Sequence, residues 1–313
     1  MSALADTLRQ RLQSGRLELP LPGGGDTPAR HRALFEIGRE DLSLARLVEA
    51  HTDAVAILRE AGSAPALGAL YGVWASETPK HRLEVSADGR SLSGSKRFCS
   101  GASLVDRALV TAHGPDGVLL FDVPIRGCGA VTVTDVDWQT PAFAETRTGT
   151  IEVQGLGLEA DARVGGPGWY LERPGFWLGA LGPACCWAGG AAGLVDRAER
   201  SRRSGPHVQA QRGALDAARW MLEQILEAAG READASPRDA KAAQVRALRV
   251  RHLVERTAID VLDRFGRACG PGPLAFDAAA ARRHAELTLY IRQCHAEADL
   301  EALAGLRLEP TSR

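Results

Sequence analysis

The side chains best equipped for chemistry fall into a few short segments. Trp74-Ala75-Ser76-Glu77 closes one apolar run, and Lys96-Arg97-Phe98-Cys99-Ser100 closes a later one. Ser76 and Ser100 offer hydroxyls, Phe98 an aromatic face and Glu77 a carboxylate. Taken singly, these are ordinary turn and core residues. Further on, Arg202-Arg203 with Gln209 and Gln211 supplies guanidinium and amide groups suited to phosphate, although an Arg-Arg pair is equally the solvated end of a helix. Near the end of the chain His295 and Glu297 can accept a proton. Two residues apart on a helix they do not share a face, so at most one points inward. A lone histidine also has many structural uses.

The composition limits what these groups can serve. The chain has 313 residues, with 38 basic and 39 acidic side chains. That balance gives no net field for nucleic acid or an anionic membrane, and any anionic ligand must be held by local geometry. The six cysteines include one adjacent pair, Cys185-Cys186, and no two pairs at zinc-site spacing. Adjacent cysteines rarely meet disulfide geometry, and a buried thiol packs as a small hydrophobe, so they read as reduced core residues of a cytoplasmic protein. The longest apolar stretch, Phe176 to Leu194, is broken by glycines and a proline and reads as a buried helix, with no membrane span expected.

Periodicity supplies the elements that position the chemistry. Apolar residues three and four apart predict helices over Ala3–Leu17 and Arg32–Ala61. The proline- and glycine-rich stretch Pro20 to Pro28 separates them. Its Gly23-Gly24-Gly25 follows no strand and reads as a linker instead of a phosphate loop. Short runs then predict strands at Ala69–Ala75, Leu83–Ser86, Ser91–Phe98, Ala108–Ala112, Val118–Val123, Gly129–Thr134 and Thr150–Val153, with Asp88-Gly89 and Asp116-Gly117 as hairpin turns. After Gly165-Gly166-Pro167-Gly168 four long helices follow, over Leu178–Arg200, Gln209–Ala229, Pro237–Phe265 and Ala278–Ala304. The expected fold is α+β: an N-terminal helical domain (1–65), a middle antiparallel β-barrel-like domain (66–168) and a C-terminal four-helix bundle (169–313). Elements do not alternate as βαβ, which excludes a parallel-sheet nucleotide fold.

Two segments in this frame carry a resemblance. Gly72-Val73-Trp74-Ala75-Ser76-Glu77-Thr78-Pro79 is similar to the strand and loop of the acyl-CoA dehydrogenase family that lie against its flavin. Leu92-Ser93-Gly94-Ser95-Lys96-Arg97-Phe98-Cys99-Ser100-Gly101-Ala102 resembles the family's Gly-x-Lys-x-aromatic-x-Thr/Ser-x-Gly segment. Similarity continues in family order through most of the chain, with a shortened N-terminal helical region. It implies a flavin oxidoreductase carrying FAD, with Trp74, Ala75, Ser76, Phe98 and Ser100 about the isoalloxazine: hydroxyls and amides on its edges, an aromatic on its face. It further implies that Arg203 and Gln211 reach the pyrophosphate or adenine from a second subunit of a homodimer or homotetramer, possibly a hetero-oligomer. The glycine turn at Gly266 would lie near that neighbour's cofactor, although Asp263 and Arg267 replace the usual Gln and Gly. An acid there repels phosphate unless Arg264 or Arg267 offsets it.

The implied reaction is α,β-dehydrogenation of an acyl-CoA or carrier-bound thioester in fatty acid metabolism, a carboxylate removing the α-proton while hydride passes to the flavin. The electron acceptor is not implied. The family's Glu-Gly pair before the last helix is replaced by Leu289 to Glu297, and its other base position, near Gly175 and Phe176, offers no carboxylate. His295 is the remaining candidate base, and Glu77 reads as structural. A monooxygenase on the same fold, or a non-catalytic partner subunit, needs no such base.

Overall fold

The computed structural model describes residues 3–135 and 138–308. Three helices come first: α1 (Ala3–Gln13), α2 (Thr27–Glu40) and α3 (Leu42–Glu60). Strands follow: β1 (Tyr71–Trp74), β2 (Leu83–Val85), β3 (Ser91–Cys99), β4 (Arg107–Gly114), β5 (Gly117–Pro124), β6 (Val131–Asp135), β7 (Gly149–Gly157) and β8 (Arg163–Val164). The chain then runs through α4 (Trp169–Glu172), α5 (Pro174–Gly179), α6 (Leu181–Glu199), α7 (Pro206–Ala235), α8 (Ala240–Cys269), α9 (Gly272–Phe276), α10 (Ala278–Tyr290) and α11 (Glu297–Leu308).

By contact the chain divides into two compact units, Met1–Glu18 with Arg46–Phe176 and Leu19–Ala45 with Trp177–Arg313. In the first unit the strands form one sheet in the order β6-β7-β3-β2-β4-β5-β8, with β1 also paired to β4. The Asp88-Gly89 and Asp116-Gly117 turns close β2–β3 and β4–β5, with Gly89 and Gly117 both at positive φ, the region glycine enters without a steric penalty. β1 and β2 each run parallel to β4, so the sheet is mixed where alternation alone suggested an antiparallel one. β8 was not foreseen, because two residues carry no periodicity. Ala54, Ile57 and Leu58 of α3 pack with Tyr71, Leu109, Leu120 and Val164 to form an apolar core.

In the second unit α6 is the central helix. Its buried face includes Cys185, Cys186 and Trp187, as its composition predicts. The apolar stretch Pro174–Glu199 is long enough to cross a membrane by composition, and its apolar window is 89% buried inside the protein. Small residues let α2 pack closely on α6: a Cβ on Gly189 would fall 2.0 Å from the Phe35 carbonyl oxygen. Two predicted helices are broken. Asp41 interrupts Arg32–Ala61, where its carboxylate caps the next helix by accepting from the Leu44 N–H at 2.8 Å. The last predicted helix splits at Ile291–Ala296, a 3-10 turn followed by Ala296 in left-handed backbone (φ 47°).

Candidate functional site

The two motif segments meet in the first unit. The Trp74 indole donates from Nε1 to the Ser100 carbonyl at 3.1 Å, which ties the end of β1 to the end of β3. Between Lys96 and Cys99 the pairing of β3 with β7 shifts register. Such a bulge adds a residue on one strand and re-aims a side chain. Here the re-aimed residue is Phe98, which sits at φ 58° and is 54% exposed, with the Arg97 guanidinium 5.6 Å from its ring centre. A left-handed aromatic is strained, so the surroundings must enforce it. Ala75 and Ser76 lie at the surface beyond Trp74, and Ser100 is buried, its hydroxyl accepting from Thr148 at 3.5 Å.

Behind these residues is a charged cluster that the sequence reading did not single out. Lys96 is fully buried; its Nζ reaches the Thr111 hydroxyl at 2.8 Å, a Glu77 carboxylate oxygen at 3.2 Å and the Ser76 carbonyl at 3.4 Å. Glu77 also accepts from Thr111 at 2.7 Å and pairs with His113 Nε2 at 2.6 Å. Burial lowers the Lys96 ammonium below its usual range against the pull of Glu77. Burial alone would raise the Glu77 carboxyl, but hydrogen bonds from Thr111 and His113, with the Lys96 charge, outweigh it and hold it low. The lowered Glu77 carboxyl keeps its charge beside Lys96, and these bonds fix the Ser76–Glu77 loop to β3 and β4. Both Glu77 carboxylate oxygens are engaged in these bonds. Cys99 faces inward, its thiol pushed up to about 12 by burial, which disfavours the thiolate that a nucleophile requires.

The remaining predicted residues lie in the second unit. Arg203 donates from Nη1 to the Arg267 and Ala268 carbonyls, both at 3.4 Å, and so caps the C-terminal end of α8. Gln211 accepts from Arg264 at 3.0 Å, and the Gly266 carbonyl accepts from the Gly270 N–H. Arg203, Gln211 and Gly266 are thus brought to one end of α8. The acids there are offset, Asp263 by Arg267 at 2.8 Å and Asp260 by Arg264 at 2.6 Å. His295 is elsewhere: its side chain is 77% exposed, with Nδ1 3.6 Å from an Asp299 carboxylate oxygen. Glu297 is exposed at the start of α11.

One carboxylate reaches a place where the local sequence shows none. Glu60, at the end of α3, accepts from the Gly175 N–H at 2.9 Å and pairs with the buried Arg173. No signal near Gly175 could reveal it, because the partner is distant in sequence.

The sequence matches no protein-family model and no curated protein. Solved structures do match. FMN-bound TdsC, a dibenzothiophene monooxygenase from Paenibacillus sp. A11-2, aligns with a TM-score of 0.80 at 19% identity over 97% of this chain and 95% of that one. Methanesulfinate monooxygenase MsuC from Pseudomonas fluorescens aligns with a TM-score of 0.78 at 20% identity, over 98% and 97%. The nitrososynthase from Micromonospora carbonacea var. africana aligns with a TM-score of 0.80 at 18% identity, over 97% and 89%. The chain has the acyl-CoA dehydrogenase-like fold. In that fold the Trp74–Glu77 and Lys96–Ser100 segments fall together, as their resemblance implied, while the bulge at Phe98 and the buried Lys96 cluster are visible only in three dimensions.

Proposed function

We propose that this protein is a flavin-dependent monooxygenase that takes FMN and uses flavin reduced elsewhere. The observation that carries the flavin reading is Phe98, an aromatic held outward on a strained bulge at the end of β3, which Trp74 ties to the end of β1 that leads to the exposed Ser76. This is a face-and-edge arrangement for a planar ring. Bound reduced flavin supplies the electrons that activate dioxygen. The protein's part is to hold the ring on Phe98, offer the exposed Ser76 at its edge, and keep that loop rigid through Lys96 and Glu77, with Ser100 buried behind it. Neither position at which the family carries its carboxylate base is filled by the local sequence, and a monooxygenase needs none there; FMN-bound TdsC and MsuC, of the same fold, are named as monooxygenases. FMN is favoured over the FAD that the resemblance implied. Arg203 and Gln211, the groups expected to take pyrophosphate and adenine, are engaged by the end of α8 and by Arg264.

Glu60 favours a second reading. It stands beside Gly175, the family's other base position, so an acyl-thioester dehydrogenation could draw on its carboxylate, although one of its oxygens already accepts from the Arg173 guanidinium and the other from the Gly175 N–H.

Titration of flavin-free protein with FMN, followed by flavin fluorescence, tests the flavin reading. We expect saturable binding that Phe98→Ala weakens about two- to tenfold, the loss of one aromatic contact. Failure to take up FMN or FAD overturns both enzyme readings. Oxygen consumption with externally reduced FMN and indole as the probe substrate would support the monooxygenase. Anaerobic bleaching of bound flavin by an acyl-CoA, abolished by Glu60→Gln, would replace it with the dehydrogenase.

A further inference from the structure

A second charged site lies in the first unit and belongs to none of the motifs above. A cavity of about 300 Å³ is lined by the arginines Arg9, Arg126 and Arg147, with Leu8, Leu70 and Ser103 among its other walls. Three arginines around one small cavity attract anions, and among the described residues they meet one, Asp106. Arg9 donates to both Asp106 carboxylate oxygens and, at 2.8 Å, to the Leu104 carbonyl. Arg126 pairs with Asp106 at 2.9 Å and donates to the same Leu104 carbonyl at 2.7 Å. Asp106 is further fixed by the Leu70 N–H at 2.8 Å. The Arg9 and Arg126 forks are thereby held rigidly, and each keeps N–H groups that Asp106 does not use.

Arg147 differs from both. Its guanidinium makes no hydrogen bond or ion pair among the described residues, yet its backbone is held in the left-handed region at φ 49°. What holds it is the turn Ala144–Thr146, whose Thr146 carbonyl accepts from the Gly101 N–H at 2.9 Å and whose Thr146 hydroxyl meets Thr148 at 3.0 Å. A strained residue persists only where its surroundings enforce it, and here the strain places at the cavity wall an arginine with no side-chain partner among the described residues.

We propose that this cavity binds a phosphate monoester. Among the described residues three arginines meet one aspartate, an excess of two positive charges, the complement of a phosphate monoester near neutral pH, which carries close to two negative charges. A carboxylate would leave one of them unmatched. Guanidinium forks suit phosphoryl oxygens, and the apolar walls from Leu8 and Leu70 leave room for a small organic body. The phosphate can belong to a free small ligand or to the end of an FMN molecule bound nearby, and the chemistry recognised is the same. The proposal does not depend on the flavin reading.

Isothermal titration of the full chain with phenyl phosphate at low ionic strength tests it, with benzoate as the carboxylate control. We expect saturable binding of phenyl phosphate, weaker binding of benzoate, and about a tenfold loss of phenyl phosphate affinity in Arg147→Ala, the cost of one charged hydrogen-bonding partner. Arg147→Lys should recover part of the loss. Among the described residues Arg147 holds nothing else through its side chain, so its variants are expected to keep the fold; an unchanged thermal midpoint verifies this, and Arg126→Gln, expected to lose affinity likewise, serves as a second variant. Repeating the titration on FMN-saturated protein identifies the source: retained binding points to a separate ligand, and blocked binding to the phosphate of FMN. Absence of saturation, benzoate binding as tight as phenyl phosphate, or an Arg147→Ala protein with unchanged affinity overturns the proposal.

Discussion

Lys96 in the strand-bearing unit and Arg267 in the helical unit both belong to motif segments, and both pair with an acid. Lys96 is fully buried and meets Glu77, Thr111 and the Ser76 carbonyl. Arg267 keeps 65% of its side chain exposed beside an Asp263 that is 56% exposed. A buried charge is stable only when its partners are all in place, so it ties its loop to one geometry. An exposed pair one helical turn apart costs little to break and leaves its segment free to adapt. The difference assigns rigidity to the Ser76–Phe98 face and adaptability to the end of α8, a sensible division if the first holds a planar ring and the second meets whatever lies beyond it.

The largest effect is therefore expected at Lys96. Lys96→Met removes one partner of a buried pair and leaves Thr111 and one Glu77 oxygen under-satisfied, for a loss of about 4 kcal/mol in urea denaturation. The double variant Lys96→Met/Glu77→Gln should recover part of it, because no unpaired charge remains. A single-variant loss below about 1 kcal/mol would show that the cluster is no more than a surface-type pair.

The helical unit has its own rigid element, built from small residues instead of charges. Gly189→Ala would drive a Cβ to 2.0 Å from the Phe35 carbonyl oxygen and 2.8 Å from the Arg39 nitrogen, both backbone, so α2 and α6 must separate. A loss of about 3 kcal/mol is expected, the scale of overpacking against atoms that cannot rotate away. Gly213→Ala on α7 meets open space and should stabilise by about 0.5–1 kcal/mol through helix propensity. If the two glycines respond alike in thermal unfolding, close packing of α2 on α6 is not what holds that unit.

Two buried histidines extend the comparison to pH. In the helical unit His31 donates from Nδ1 to the Leu226 carbonyl at 2.9 Å and can keep that bond when protonated. In the strand-bearing unit His51 Nδ1 accepts from the Tyr71 N–H at 3.2 Å, and protonation there sets two donors against each other. Burial, then the nearby Arg9 charge, lowers His51 from 6.5 to about 4. The unfolded chain therefore binds the proton more readily, so stability is full above pH 6.5 and declines as pH falls towards 4, below which the loss is complete. The expected total is about 3 kcal/mol, read from urea midpoints across that window, and His51→Gln should flatten the slope. An unchanged slope in the variant would place the acid sensitivity elsewhere.

How much of this could be read in the sequence depends on whether a feature repeats locally. The Asp-Gly turns, the strands they join and the buried α6 all carry a short-range pattern, and the chain shows each where that pattern predicts it. The Phe98 bulge carries none. Strict alternation puts Lys96 and Phe98 on one face, whereas the structure buries the first and exposes the second, because one extra residue in β3 reverses the alternation. Glu60 at Gly175 and the three arginines around Asp106 join residues far apart in sequence, and only the fold brings them together. Among the chemistry-bearing residues, Trp74 and Ser100 could be paired by motif, but His295 had no pattern to say that it faces outward.

The smallest expected effect closes the comparison from the exposed side. Arg267→Ala breaks the Asp263 pair, and because both side chains are more than half exposed, water and salt already screen it. The hydrogen bond from the Arg203 guanidinium ends on the Arg267 carbonyl, does not involve the Arg267 side chain and survives. The change in urea midpoint should correspond to less than about 0.5 kcal/mol and should vanish at high salt. A loss approaching that of Lys96→Met would mean that the end of α8 is as rigidly wired as the Ser76–Phe98 face, and the division between the two units would fail at its adaptable end.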